Sequence, residues 1–347
     1  MDKINDSITE LLRQEILDKR TNSLVKLESE RTYEAKYQVG RQRIRTVINN
    51  LILEGLLVKN EGGATYILPQ LRFRSLRIIY PSNIRISDPF YNNLWLNLST
   101  LAVKLNVNLS FVPLEEALNC DPGDPVVLIA IQDPLVLRRL CHHFQYVVGV
   151  QTYARGIDMV NICFDNKKIG YAATKALLAY GHRNLVCVAG PAQYNSASLR
   201  KEGFIKACMR FHAKCSVFES KMNWTGGYSV GSEILEALKH PNRPTAAFVA
   251  NDWMAIGLIQ YLKEHGVSVP DDFSVISVDN VPIAEQIFPA LTTFSQDMSM
   301  LTAQIFATVD QITPETYAGM TRKRIVIPHI LISRQTLSYN KGAKENG

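Results

Sequence analysis

Arg41, Arg43 and Arg45 stand within five positions of one another inside YQVGRQRIRTVINNLILEGLL, residues 37–57. The rest of that stretch reads as an apolar helix. At about 100° per residue, Ile44, Val47, Ile48 and Leu51 fall on one stripe, while Gln42, Arg45, Thr46 and Asn49 gather opposite, with Arg43 at their border. Arg41 lies nearer the apolar edge but can project past the helix end. Positive charge at a helix N-terminus opposes the macrodipole, so helix stability does not explain these arginines, whereas a bound anion does. Arginine pairs bidentately with guanine in the major groove, and Gln or Asn with adenine, so this face suits base edges. The plain alternative is a solvated helix face.

A second set of polar residues follows apolar runs: Gln151 after VVGV, Asn251 and Asp252 after AAFVA, Asp279 and Asn280 after VISV. Ligands of open α/β sheets sit beyond the carboxyl ends of strands, where these residues fall. Each also suits a helix cap, and for Asp252, which opens a helix, capping is the expected role. Catalytic motifs are missing: GxGxxG, GxxxxGK[ST], GxSxG and HExxH do not occur. His142-His143 lies in a helical stretch with a surface or edge role, and nothing pairs a nucleophile with a base. The expectation is a non-enzyme with no cofactor and no metal. The six cysteines form no CxxC pair, and Cys141, Cys163, Cys187 and Cys208 sit among apolar neighbours, which points to reduced, buried thiols.

The elements that must position these residues divide the chain. At 347 residues it exceeds one small core and suggests two or three domains. A net charge of +6 permits a polyanionic partner without requiring one. The N-terminus has acids and no signal-peptide core, and no run approaches a membrane span, so a cytoplasmic protein with no membrane partner is expected. Ser7 with Glu10 forms a capping box ahead of Ile8, Leu11, Leu12 and Ile16 at helix spacing. Ser29 caps a short second helix, and Gly40 and Gly55 bracket the third. Residues 57–60 and 65–68 read as strands around the turn Glu61, Gly62, Gly63, Ala64. Three helices and a hairpin make a winged helix-turn-helix over residues 1–68.

Residues 69–75 form the candidate linker. From residue 76 apolar strand runs alternate with helices: 76–80, 107–112, 125–131, 145–150, 184–190, 245–250 and 273–279, with helical patterns at 166–180 and 252–265. Strands buried on both faces and joined by helices mean parallel α/β layers, long enough for two lobes. The fold class is α/β, with the winged helix-turn-helix followed by a two-lobed parallel domain over 76–337 and a polar tail at 338–347.

Two resemblances sharpen this reading. KLESERTYEAKYQVGRQRIRTVINNLILEGLLVKNEGGATYIL resembles the GntR-type winged helix, through Leu27, Ser29, Glu30, Arg31, Val39, Arg41, Arg45, Leu51, Glu54, Gly55, Leu56 and Gly62. It implies that Arg31, Arg41, Gln42, Arg43 and Arg45 meet DNA and that the wing tip at Gly62 and Gly63 approaches the minor groove. Glu28 departs from the usual Pro, Arg43 from a common Thr, and Gly40 from Ser or Thr, leaving only the Gly40 backbone N–H for a phosphate. The segments at 165–191, 198–207, 244–280, 288–297 and 332–336 resemble the LacI/GalR regulatory domain, which has the periplasmic-binding-protein-like fold; the arabinose repressor group fuses the two. This second resemblance implies an effector pocket in which Arg200, Asn251, Asp279 and Gln296 bind sugar hydroxyls. Ser196 supplies a small polar group, Trp224 and Phe164 stack on the ligand, and Phe90 and Tyr91 close over it. QTYARG, residues 151–156, departs from the Asp-Arg pair of many relatives.

The implied protein is a cytoplasmic, sugar-responsive transcription regulator, a repressor by preference. It works as a homodimer on a double-stranded operator, with ligand between the lobes altering the spacing of two reading heads. A sugar receptor without a DNA-binding role is the alternative. The extra 75 residues ahead of the two-lobed part argue against it.

Overall fold

A computed structural model describes residues 3–84, 88–152 and 156–340. The chain forms two compact units. One holds Met1–Ile84, Asn93–Cys163 and Asp297–Ile327, and the other Arg85–Asn92, Phe164–Gln296 and Pro328–Gly347.

The first unit begins with α1 (Lys3–Lys19), β1 (Val25–Lys26), α2 (Glu30–Tyr37), α3 (Arg41–Leu53), β2 (Leu57–Lys59) and β3 (Thr65–Ile67). Ile8, Leu12 and Ile16 of α1 share a core with Tyr33 of α2 and with Ile44, Val47, Ile48 and Leu51 of α3. The expected Ser7 capping box does not form. Helical backbone already runs from Lys3, so Ser7 lies inside α1 with no orphan amide at that point to cap. Leu11 is 56% exposed because the buried stripe steps by four through Ile8, Leu12 and Ile16, and Leu11 falls beside it. Ser29 does cap α2, its hydroxyl accepting from the Thr32 amide at 3.1 Å. α3 closes through Gly55, whose φ of 75° is the left-handed region that glycine enters without cost. β2 and β3 pair antiparallel from Leu57–Ile67 to Lys59–Thr65. The two-residue β1 joins β3 on its other side, an element too short to show in the sequence.

The segment read as a linker is packed down. Leu71 is buried, the Arg72 amide donates to Asp310 Oδ1 at 2.6 Å, and Phe73 stacks on Phe306 at 6.2 Å. Beyond it come β4 (Ser75–Tyr80), α4 (Pro89–Lys104), β5 (Asn108–Pro113), β6 (Val126–Ile129), α5 (Pro134–His143), β7 (Val147–Val150) and β8 (Val160–Phe164).

The second unit continues with α6 (Asn166–Ala179), β9 (Asn184–Ala189), α7 (Asn195–Arg210), β10 (Lys214–Glu219), α8 (Trp224–Ser229), α9 (Gly231–Leu238), β11 (Ala246–Val249), α10 (Asp252–Glu264), β12 (Ser274–Asp279) and β13 (Thr293–Gln296). The chain then returns to the first unit for α11 (Met298–Gln311), α12 (Pro314–Met320) and β14 (Arg324–Ile327), and ends its regular structure in the second with β15 (His329–Ile332). Each unit is built on a six-stranded sheet, ordered β14-β8-β7-β6-β4-β5 in the first and β10-β9-β11-β12-β13-β15 in the second. Neighbouring strands of the central runs are parallel, and β15 alone among the paired strands of the second sheet runs antiparallel, to β13. The seven apolar runs read from the sequence are β4, β5, β6, β7, β9, β11 and β12. The two-sided burial of the central strands, as in the fully buried Val126 to Ile129, follows from helices covering both faces; β5, at the edge of its sheet, departs from that expectation and is exposed or half-buried throughout.

Among the described residues no helix is long and apolar enough to cross a membrane, and no group of three or more His, Cys, Asp or Glu could hold a metal. None of the six cysteines is in a disulfide.

Candidate nucleic-acid and ligand sites

The N-terminal site is the front of α3. Its N-cap, Gly40, makes no side-chain capping bond, so the first turn carries its orphan amides outward. Arg41, Gln42, Arg43, Arg45, Thr46 and Asn49 are all exposed, while Ile44, Val47, Ile48 and Leu51 are all buried. The arginines do not rely on a bound anion for their first partner. Arg41 Nε and Arg45 Nε both donate to Glu30 Oε2 at 2.9 Å, and Lys59 Nζ lies 4.0 Å from Glu30 Oε1. Partial burial pushes the Glu30 carboxyl up, but the hydrogen bonds from Arg41 and Arg45 win and hold it below the usual range. Beside the bound anion expected from the sequence, a carboxylate of the same head meets two of the arginines. Glu30 belongs to the SER stretch quoted from the sequence, yet its charge opposite the arginines shows only once α2 is laid beside α3.

Arg31 is exposed on α2, and Gly62 and Gly63 are exposed at the hairpin tip. Asn60 shapes that tip, its Oδ1 accepting from Ala64 N at 2.7 Å and its carbonyl from Gly63 N at 3.0 Å. Gly63 has a φ of 85°, again the glycine-favoured region. The Glu61 amide donates to Asp297 Oδ2 at 2.8 Å, and the other oxygen of that carboxylate accepts from Met300 N at 2.9 Å to cap α11. Lys104 Nζ donates to Ile52 O at 3.2 Å, and Gln311 Nε2 to Asn22 O at 3.1 Å, so the helical head rests on α4 and α11.

The second site lies in the other unit, around Arg200 of α7. α6 and α7 cross so closely that a Cβ on Gly170 would sit 2.0 Å from Arg200 O, and one on Gly203 2.0 Å from Lys167 O. That crossing fixes the Arg200 backbone. Its side chain is 4% exposed, with Nε donating to Asn166 Oδ1 at 2.8 Å, Nη1 to Ala250 O and Nη2 lying 3.5 Å from Asp279 Oδ1. Asp279 ends β12 with φ 127° and is followed by Asn280 at φ 59°, left-handed backbone that turns both residues off the strand. Burial pushes the Asp279 carboxyl well up, against the pull of Arg200 and with the further push of Asp252 and Asp88.

The cap of α10 comes from Asn251 and not, as expected, from Asp252. Asn251 caps α10, its Oδ1 accepting from Met254 N at 2.9 Å. Asp252 turns inward, fully buried, and accepts from Ser277 Oγ, from Thr293 Oγ1 at 2.6 Å and from Val281 N at 2.9 Å. Burial raises its carboxyl to about 6 despite those hydrogen bonds. The role is decided by which side chain faces the gap between β12 and β13, and both residues look alike in sequence.

Tyr91 stands edge-on to Phe90 at 5.1 Å. Burial pushes its phenol up, as do the charges of Asp88, Tyr194 and Asp279. Ser196 lies one turn before Arg200 in α7 and is partly buried. Trp224 stacks on Tyr228 at 5.0 Å, Phe164 is fully buried, and Gln296 is 1% exposed with no hydrogen-bond partner for Oε1 or Nε2 among the described residues. The structure thus gathers Arg200, Asp279 and Tyr91, and adds Asn166, Asp88 and Asp252, which the sequence left out of the site. Asn166 was hidden behind Asp165, which supplies the cap of α6 to Lys168 N at 3.1 Å and leaves the amide to point inward. Tyr153, Ala154 and Arg155 of QTYARG lie outside the described residues.

Comparison with known proteins finds two matched segments. Residues 4–67 match the family described as bacterial regulatory proteins, gntR family, and residues 174–337 match the periplasmic binding protein-like domain. The chain is 38% identical over 138 residues to the HTH-type transcriptional repressor PurR of Pasteurella multocida, covering 39% of this chain and 40% of that one. It is 29% identical over 185 residues to the HTH-type transcriptional regulator DegA of Bacillus subtilis, 52% of this chain and 53% of that one. The matched stretch thus spans about two fifths to one half of the length of these curated relatives, which are regulators rather than enzymes. Among solved structures, a LacI family transcriptional regulator from Enterococcus faecium with bound ribose superposes with a TM-score of 0.65 at 22% identity, covering 77% of this chain and 100% of that one. A dimeric Lac repressor with an 11-residue C-terminal deletion gives 0.65 at 20% over the same shares. At those identities the likeness is one of fold. The chain therefore joins a segment that matches the gntR-family regulatory proteins to one that matches the periplasmic binding protein-like domain, with the fold of the LacI family regulators.

Proposed function

We propose that this chain is a DNA-binding transcription regulator of the repressor type, acting in the cytoplasm and controlled by a small, uncharged, sugar-like effector. The observation that carries the reading is the front of α3, where Arg41, Gln42, Arg43 and Arg45 stand exposed on a helix whose opposite face is fully buried. Such a tip inserts into a major groove, with Arg31 toward the backbone and the Gly62-Gly63 wing tip toward the adjoining minor groove. Binding to a random-sequence duplex should fall steeply with salt, by about a thousandfold between roughly 50 and 200 mM for on the order of six phosphate contacts. No binding at low salt would remove the proposal.

The effector would meet Arg200, Asp279, Asn251, Ser196 and Gln296 for its hydroxyls, and Phe90, Tyr91, Phe164 and Trp224 for its apolar faces. Gln296 supports this assignment, because a buried amide with neither donor nor acceptor satisfied is costly unless something else supplies the partners. Charge supports a neutral ligand. All three guanidinium nitrogens of Arg200 are engaged by protein atoms, and the charges of Asp88 and Asp252 both act on Asp279 there. A phosphate would enter a field already short of cations. Solved neighbours in this fold hold ribose and D-xylulofuranose. Ribose and other free pentoses should stabilise the folded chain, by about 2.7 kcal/mol at a hundred times the dissociation constant, and so raise the melting temperature, and ribose 5-phosphate should not. A shift with the phosphate alone would reverse the assignment.

Dimerisation would use the edge strand β5 and the outer face of α4. Leu96, Val103 and Phe111 are 64%, 81% and 38% exposed there, and an apolar edge needs a cover. Val103→Asp should convert a dimer to a monomer in sedimentation.

A further inference from the structure

The proposed DNA contact leaves the chemistry of Glu30 unused. This residue opens α2, where the helix dipole favours a carboxylate. It is only 19% exposed, while the arginines it holds, Arg41 and Arg45, are 58% and 51% exposed. One oxygen, Oε2, accepts from Nε of both. Among the described residues no hydrogen bond reaches Nη1 or Nη2 of either arginine. Arg41 and Arg45 are four apart on α3, so their forks stand one helical turn, about 6 Å, from each other.

The anchoring atom matters. A guanidinium gripped at Nε keeps its far edge, Nη1 and Nη2, as a pair of parallel donors, which is the geometry that meets the O6 and N7 acceptors of a guanine edge-on. An arginine without that grip samples many rotamers and is as well satisfied by any phosphate as by a base. The carboxylate also lowers the local positive potential, which weakens attachment to a phosphate backbone of any sequence. We propose that Glu30 is a specificity-determining positioning residue: it holds Arg41 and Arg45 by their Nε atoms, presents their far edges as paired readers, and trades non-specific affinity for discrimination. The inference rests on the DNA-binding reading above.

The test uses the full chain and two variants, Glu30→Ala and Glu30→Gln, the latter keeping an acceptor without the charge. Sequences are selected by each protein from a random duplex pool, and binding to the wild-type selected duplex and a scrambled duplex is titrated across salt. For Glu30→Ala, binding to the scrambled duplex should be at least as tight as for the wild type and more steeply salt-dependent. Its preference for the selected duplex should drop about tenfold, or ~1.4 kcal/mol, and Glu30→Gln should fall between. The same preferred sequence with an unchanged preference ratio in Glu30→Ala would overturn the inference while leaving the DNA reading intact. A parallel loss on both duplexes, with a lowered melting temperature, would also overturn it by reducing Glu30 to a structural ion pair. Absence of binding by the wild type at low salt would overturn the DNA reading, and this inference with it.

Discussion

The helical head and the C-terminal lobe both set carboxylates beside arginines, with opposite balances. In the head, Glu30 faces Arg41, Arg45 and Lys59, and its carboxyl is held low. Glu15 accepts from Lys19, Lys36 and Tyr33, and although burial pushes it up, these bonds hold it at about 2. In the lobe, Asp279 and Asp252 share the vicinity of one arginine, and burial pushes both up. The difference bears on the partner proposed for each region. A surface with cations in excess and outward-facing forks suits a polyanion. A buried cluster with carboxylates in excess suits a neutral ligand whose hydroxyls can donate to it.

The strongest test of the comparison removes the lobe's cation. Arg200→Ala should cost about 3–5 kcal/mol of stability, because Asp279 is then left buried without its countercharge, and should abolish any sugar-induced melting shift while the head still binds duplex. Next is the crossing that seats this arginine. Gly170→Ala should cost on the order of 1–3 kcal/mol from overpacking and weaken ligand binding, since the added methyl collides with the Arg200 carbonyl. In the head, Arg45→Ala should leave melting almost unchanged but lower affinity for the preferred duplex by about 1–3 kcal/mol and relax specificity at the base it reads.

The smallest effect is the pH signature, and its sign differs between the regions. Asp252 is raised to about 6 from an ordinary 3.8. Between those values the folded state keeps a proton that the unfolded chain has lost, so this group's contribution is full below about 4 and is lost as pH rises through 6. Glu15 is lowered from 4.5 to about 2, so its contribution is full above 4.5 and is lost as pH falls toward 2. The destabilisation caused by Asp252→Asn should therefore shrink from pH 4 to 7, and that caused by Glu15→Gln should shrink from pH 5 toward 2. Melting curves of both variants against the wild type check the two signs. Parallel trends would break the contrast.

The sequence revealed what repeats along the chain. Ile44, Val47, Ile48 and Leu51 announce their buried face by spacing, and the apolar runs announce seven strands. It concealed what depends on neighbours brought from afar. β10 is an exposed edge strand with charged ends, KCSVFE, and β13 is a buried strand made largely of polar residues, TFSQ, so neither shows an apolar run. The capping of α10 by Asn251 in place of Asp252, the inward turn of Asn166, and the pairing of Glu30 with two arginines are set by packing between elements. Likewise, no local pattern tells that residues 297–327 rejoin the first unit after a long excursion.

One carboxylate, that of Asp297, starts the helix α11 with one oxygen and holds the backbone of the hairpin turn with the other. Unravelling of the first turn of α11 would withdraw the same side chain that anchors Glu61. The hairpin and the helix start are thus bound to a common fate, and a disturbance of one residue at the head of α11 is enough to unmoor the wing.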